Sequence, residues 1–192
     1  MTVVELMITT ALLGLVMAVV FAALSGVQKT IVTADQRGQT NDQVRLAAND
    51  IDRMVRSGNV LYDPASETLA NSGVAPGYSL RIYTQANGNQ RCVQWRVRNQ
   101  VLQTRAWTTT WQVDGNVTGW RNVADHIVNT SAPFTLDPNA AYGGRIVDID
   151  LIARTSSAAS VHAAPVEVKV AVTGRNTEYG YDPVVCNTVP TP

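Results

Sequence analysis

Residues Leu6 to Val27 read LMITTALLGLVMAVVFAALSGV, and ahead of them stand Met1-Thr2-Val3-Val4-Glu5. The run carries no charged side chain, and only Thr9, Thr10 and Ser25 are polar. It is long enough to cross a hydrocarbon layer as a helix. A secretory signal peptide would place Lys or Arg ahead of a shorter apolar run, whereas the first basic residue here is Lys29. The segment therefore reads as a retained helix. Its one anomaly is Glu5, a carboxylate at the edge of the apolar run, which needs a partner if it is buried.

Downstream of Lys29 the helix pattern continues with a different texture. Val27, Ile31, Ala34, Gly38, Val44, Ala48, Ile51 and Val55 recur at steps of three and four, with Lys29, Asp35, Arg37, Asp42, Arg45, Asp52, Arg53 and Arg56 mostly elsewhere around the axis. No proline interrupts the chain before Pro64, and Ser57-Gly58-Asn59 reads as a stop. The pattern predicts one helix from Thr2 to about Ser57, roughly 80 Å long at the α-helical rise. It divides the chain into an apolar helix, 1–28, and a globular domain, 29–192, which includes the amphipathic stretch 29–57.

Beyond the helix the period changes to two. The segment from Asp63-Pro64 to Pro76-Gly77 reads as a long loop. Tyr78, Leu80 and Ile82 then share one face of a strand, Asn87-Gly88 reads as a hairpin turn, and Cys92 to Arg98 as its partner. Asn99-Gln100 leads into Val101–Trp111, so an antiparallel meander is expected. Arg145–Arg154 and Val166–Val172 show the clearest alternation, separated by a small-residue loop from Ser156 to Ala164. Asp114 to Gly144 is less regular. The fold class expected is α+β: a long N-terminal helix, its apolar half protruding, packed on an antiparallel sheet.

MTVVELMITTALLGLV resembles the N-terminus of mature type IV pilins and of the pseudopilins of type II secretion, over about the first thirty residues. The resemblance implies a pilin fold and a leader cut by a prepilin peptidase just before Met1, which would then be an N-methylated terminus. Met1 stands where Phe is commoner, and Ala22 where a proline often permits the helix to melt, leaving Gly14 and Gly26 as its weak points. The resemblance further implies a subunit of a helical surface filament, built from copies of itself or with other pilins. Such a subunit waits in the inner membrane with its globular domain outside, and is extruded by an assembly motor and platform proteins. Glu5 would pair with the N-terminal amine of a neighbouring subunit, setting register, with Thr2 adding a hydrogen bond. Adhesion, motility or DNA uptake are uses of such a polymer. A minor tip pilin and a type II secretion pseudopilin share every one of these motifs. A membrane-anchored extracytoplasmic binding domain that never polymerises is the alternative from another class.

Composition narrows the rest. Lys+Arg and Asp+Glu both number 15, so there is no net basic field for non-specific nucleic-acid binding. Cys92 and Cys186 are the only cysteines; they read as one long-range disulfide of an oxidising compartment, or as two buried thiols. His126 and His162 sit in unrelated contexts without a metalloprotease, hydrolase or phosphate-loop motif. No catalytic residue, cofactor or metal site is expected, and the acidic turns at Asp63 and Asp137 lack the ligand spacing of a calcium loop. Asn116-Val-Thr118 and Asn129-Thr-Ser131 fit the glycosylation acceptor pattern. Trp95 belongs to a strand pattern and reads as core, whereas Trp107, Trp111 and Trp120 read either as an exposed aromatic surface for a ligand or as core.

Overall fold

The computed structural model describes residues 2–85, 88–139, 143–155, 164–174, 182 and 184–192. Met1, Asn87, His162 and nearly all of the loop from Ser156 to Ala164 lie outside the described residues. Helix α1 runs unbroken from Val3 to Arg56. It opens on Thr2 as N-cap and ends at Ser57, whose hydroxyl donates to the Met54 carbonyl at 3.0 Å. The chain leaves the helix so tightly that a Cβ on Gly58 would lie 2.9 Å from the Val55 carbonyl oxygen, which explains glycine there.

Among the described residues eight strands follow, in two antiparallel sheets. β1 (Gly58–Leu61), β2 (Ser79–Thr84), β3 (Arg91–Arg98), β4 (Val101–Thr108) and β5 (Arg121–Ala124) form a five-stranded meander in sequence order. β6 (Phe134–Leu136), β7 (Ile146–Ala153) and β8 (Val166–Thr173) form a three-stranded sheet. Two single-turn helices, α2 (Leu69–Ser72) and α3 (Trp111–Asp114), sit in the connections. The β3–β4 hairpin closes on Asn99 and Gln100, both at positive φ (51° and 64°), as a two-residue turn matched to strand twist requires. β1 and β5 have no counterpart in the expected meander; each has four residues, too few for alternation to register.

The amphipathic part of α1 packs on both sheets. Val44, Ala47, Ile51 and Val55 join Leu80, Ile82, Val93, Trp95 and Leu102 of the large sheet and Phe134, Val147, Ile149, Leu151 and Val172 of the small one in a single core. Each fully buried aliphatic side chain there stabilises the fold by about 1.5–3 kcal/mol. The alternation in β2, β3, β7 and β8 thus reads out correctly, inward residues facing α1. The packed face is shorter than its periodicity suggests. Val27, Ile31, Ala34 and Gly38 are exposed, and burial begins at Thr40. The reason is where the globule ends: the start of β8, at Pro165 and Val166, comes level with Ala34, Gly38 and Asn41 and forms only an open groove there.

Asn129 clips the small sheet. Its amide donates to the Asp150 carbonyl at 2.7 Å and its oxygen accepts the Ile152 N–H at 2.9 Å. Of the two acceptor triplets, the one at Asn129 therefore has its amide engaged, while Asn116 is exposed.

Candidate functional site

The first part of α1 projects from the globule, and among the described residues none covers its apolar side chains. Val3, Leu6, Met7, Ile8, Leu12, Leu13 and Phe21 are all exposed, and none of the most apolar 18-residue window is buried. By length and composition this helix can cross a membrane. At its tip Thr2 and Glu5 form a capping box. The Glu5 N–H donates to Thr2 Oγ1 at 3.3 Å, and the Thr2 N–H donates to Glu5 Oε2 at 3.4 Å. Two of the helix's unpaired N–H groups are satisfied in this way, and the carboxylate sits at the positive end of the helix dipole. Thr9 and Thr10 return their hydroxyls to the Leu6 carbonyl at 3.0 Å, which removes polar groups from an otherwise apolar surface.

Gly14 and Gly26 lie within continuous α-helix, and a Cβ at either would meet nothing within 4 Å. Among the described residues nothing requires glycine at those positions.

The second distinctive region is the outer face of the large sheet, away from α1. Cys92 on β3 and Cys186 form a disulfide with a Cα–Cα separation of 5.9 Å, inside the range such bonds need. The bond lays the end of the chain over β2–β4. The Arg81 guanidinium donates to the Cys186 carbonyl, and the Trp111 indole donates to that of Thr188 at 3.1 Å. Arg105 reaches the carbonyls of Pro190 and Thr191 at 2.9 and 2.8 Å. Tyr83, Cys92, Trp107 and Cys186 form a second, smaller core beneath this tail.

That face is buried and polar. Glu67 pairs with Arg81 at 3.0 Å, the two side chains 2% and 8% exposed, and the Gln94 amide donates to Glu67 at 3.2 Å. Gln94 in turn accepts from Arg105 at 2.8 Å. Arg96 stacks on the Trp120 ring at 3.7 Å and Arg105 at 4.4 Å. Burial pushes the Glu67 carboxyl above its usual range, against the opposing pull of Arg81. Burial likewise lowers Arg96 and Arg105 to about 10 each, with Arg98 and Arg96 respectively adding repulsion. Every cation here has carbonyl, amide or ring partners, as buried charge demands.

Sequence reasoning missed this network. Arg81, Gln94, Arg96 and Arg105 occupy the polar positions of alternating strands, where alternation carries no sign of burial. Of the two readings open for the other tryptophans, the structure gives burial rather than an exposed aromatic face. Trp107 is buried at 2% exposure, because the tail covers it, and Trp111 and Trp120 are half-buried against the tail and the arginines. Trp95 lies in the main core. Asp63 and Asp137 spend their carboxylates on local turns, accepting the N–H groups of Ala65 and Asn139. His126 is exposed at positive φ. Among the described residues no group of three or more His, Cys, Asp or Glu converges on a point.

Compared with known proteins, the chain matches no family model, and no curated sequence matches it.

Proposed function

We propose that the chain is a structural subunit of a type IV pilus-like surface filament, held in the membrane by its projecting helix before assembly. One observation carries the reading: an apolar half-helix that no described residue covers, with a single carboxylate, Glu5, at its tip. An apolar surface of that extent calls for lipid or for other helices around it. Lipid alone explains the apolar residues and gives the Glu5 charge no cation. The helix dipole offsets about 0.3–1 kcal/mol for a carboxylate at its N-terminus. Burying an unpaired charge costs several kcal/mol, so among packed helices Glu5 needs a cation. The amine of a neighbouring subunit's Met1 is that cation in this reading, and the pairing sets axial register.

Adhesion, motility and DNA uptake are uses of such a filament, and a minor tip pilin or a type II secretion pseudopilin would employ the same helix. The capping box favours a second reading, because it gives Glu5 a role inside its own chain: an anchored extracytoplasmic domain that does not polymerise. Glu5→Ala separates the two. In the filament reading the variant inserts in the membrane and folds, yet disappears from sheared surface fibres, with a loss on the order of 3–5 kcal/mol for breaking a buried pair. Incorporation equal to wild type, or fibres that never contain the wild-type chain, would overturn it.

A further inference from the structure

Between the last turns of α1 and the inner face of β3 and β4 lies a cleft of about 340 Å³, the size of a small-ligand site. Thr104 and Ala106 line it from β4, Met54 from α1, and Val93 and Trp95 from β3. Arg53, Arg91 and Arg121 also line it. Asp50 is the carboxylate among the lining residues, and it is already engaged by Arg53 at 2.8 Å. Arg91 and Arg121 hold no ion pair among the described residues.

Two features set this cleft apart from a surface groove. Arg91 stands two residues before Val93, on the face of β3 that faces the core, and its Nε is buried without a hydrogen-bond partner. Trp95 is fully buried, and its indole N–H, which can only donate, also has none. Buried donors are ordinarily paired, and two unpaired ones carried by residues that line one cavity leave its wall short of acceptors. The loop ahead of β5 is held at the cleft by Thr118, whose hydroxyl accepts the Ala106 N–H at 2.8 Å and donates to the Ala106 carbonyl at 3.1 Å.

We propose that this cleft binds a small organic anion: a carboxylate or phosphate monoester whose oxygens meet Arg91 and Arg121 and whose apolar body lies against Met54, Val93 and Trp95. The guanidinium fork matches the oxygen geometry of either group, and the apolar lining selects against the bare inorganic ion. The inference does not rest on the filament reading, since the cleft belongs to the globular part.

The test is an NMR titration of the full chain in non-ionic detergent, following the Trp95 indole N–H resonance. Phenyl phosphate and benzoate are the two probes and phenol the neutral control. At least one anion is expected to shift the resonance saturably, the tighter one naming the head group, and phenol to leave it in place. Arg121→Gln, at an exposed position, and Arg91→Gln should each weaken binding about tenfold, the scale of one charged hydrogen bond. Unchanged melting of Arg121→Gln keeps that result separate from misfolding. No saturable shift with either anion, an equal response to phenol, or binding indifferent to Arg121→Gln would overturn the assignment.

Discussion

Thr2 and Glu5 act on the helix end through different atoms, so substitution can separate capping from charge. Glu5→Gln retains a side-chain acceptor for the Thr2 N–H and loses the negative charge. Thr2→Ala removes the hydroxyl cap, at about 1 kcal/mol, and leaves the carboxylate. If charge pairing drives assembly, Thr2→Ala should still be recovered in sheared fibres while Glu5→Gln is lost, as scored by immunoblot. The reverse pattern would make the cap the important feature. Asp114 offers an independent check on the globule. It accepts from the Asn116 N–H at 2.8 Å and from the hydroxyls of Thr110 and Thr108 at 2.7 and 2.8 Å, which holds its carboxyl at about 2. A carboxyl depressed by folding contributes stability that is complete above its unfolded pKa, about 3.9, and lost as pH falls through the folded value. Carbon NMR of the Asp114 carboxyl should therefore show a midpoint near 2, with the turn from Thr108 to Asn116 loosening only below about pH 4. A midpoint near the ordinary value would mean those bonds are not made in solution.

At the scale of elements, the disulfide decides whether the tail stays on the sheet. Cys92 and Cys186 are 94 residues apart, and closing a loop of that length stabilises by about 4–5 kcal/mol in the chain-entropy limit. Removing native bonds of this kind usually costs about 2–5 kcal/mol. A Cys92→Ser, Cys186→Ser variant should accordingly melt on the order of 10 °C lower. It should also expose Trp107, seen as a red shift and stronger quenching of tryptophan emission. An unchanged melt would show that Arg81, Arg105 and Trp111 hold the tail unaided. The two halves of α1 differed in legibility. Its apolar run and its end at Ser57 followed from local signals, namely absence of charge and the Ser-Gly stop. Where it begins to pack did not follow, because Val27 and Ile31 continue the same periodicity past the edge of the globule.

For the whole molecule, burial starting at Thr40 predicts that the apolar segment and the globule are separable. Removing residues 1–28 should give a chain that stays monomeric in sedimentation without detergent and melts like the full-length domain in micelles. The full chain should self-associate once detergent is withdrawn, through apolar surface that no part of the globule covers. Aggregation of the shortened chain would mean that residues before Thr40 contribute to the fold. The α+β class, the rod-like helix and the alternating strands were readable from residues alone, because each depends on a local period; two cysteines allowed only one pairing, and the structure decided for the bond over buried thiols. The filament role of Glu5 was readable only through resemblance. Tertiary structure alone decided which faces are covered. Alternation shows that a strand has two faces, one apolar and one polar, but it holds no information about what lies on the polar one. Nothing in the alternation marks Arg81 and Arg105 as buried, and it is Cys186 that brings the end of the chain across them, while Ser72 and Trp120 cover Arg96; Arg91 and Trp95 are ordinary strand residues until α1 and the loop ahead of β5 enclose them in a cleft. Both outcomes depend on contacts between residues far apart in sequence.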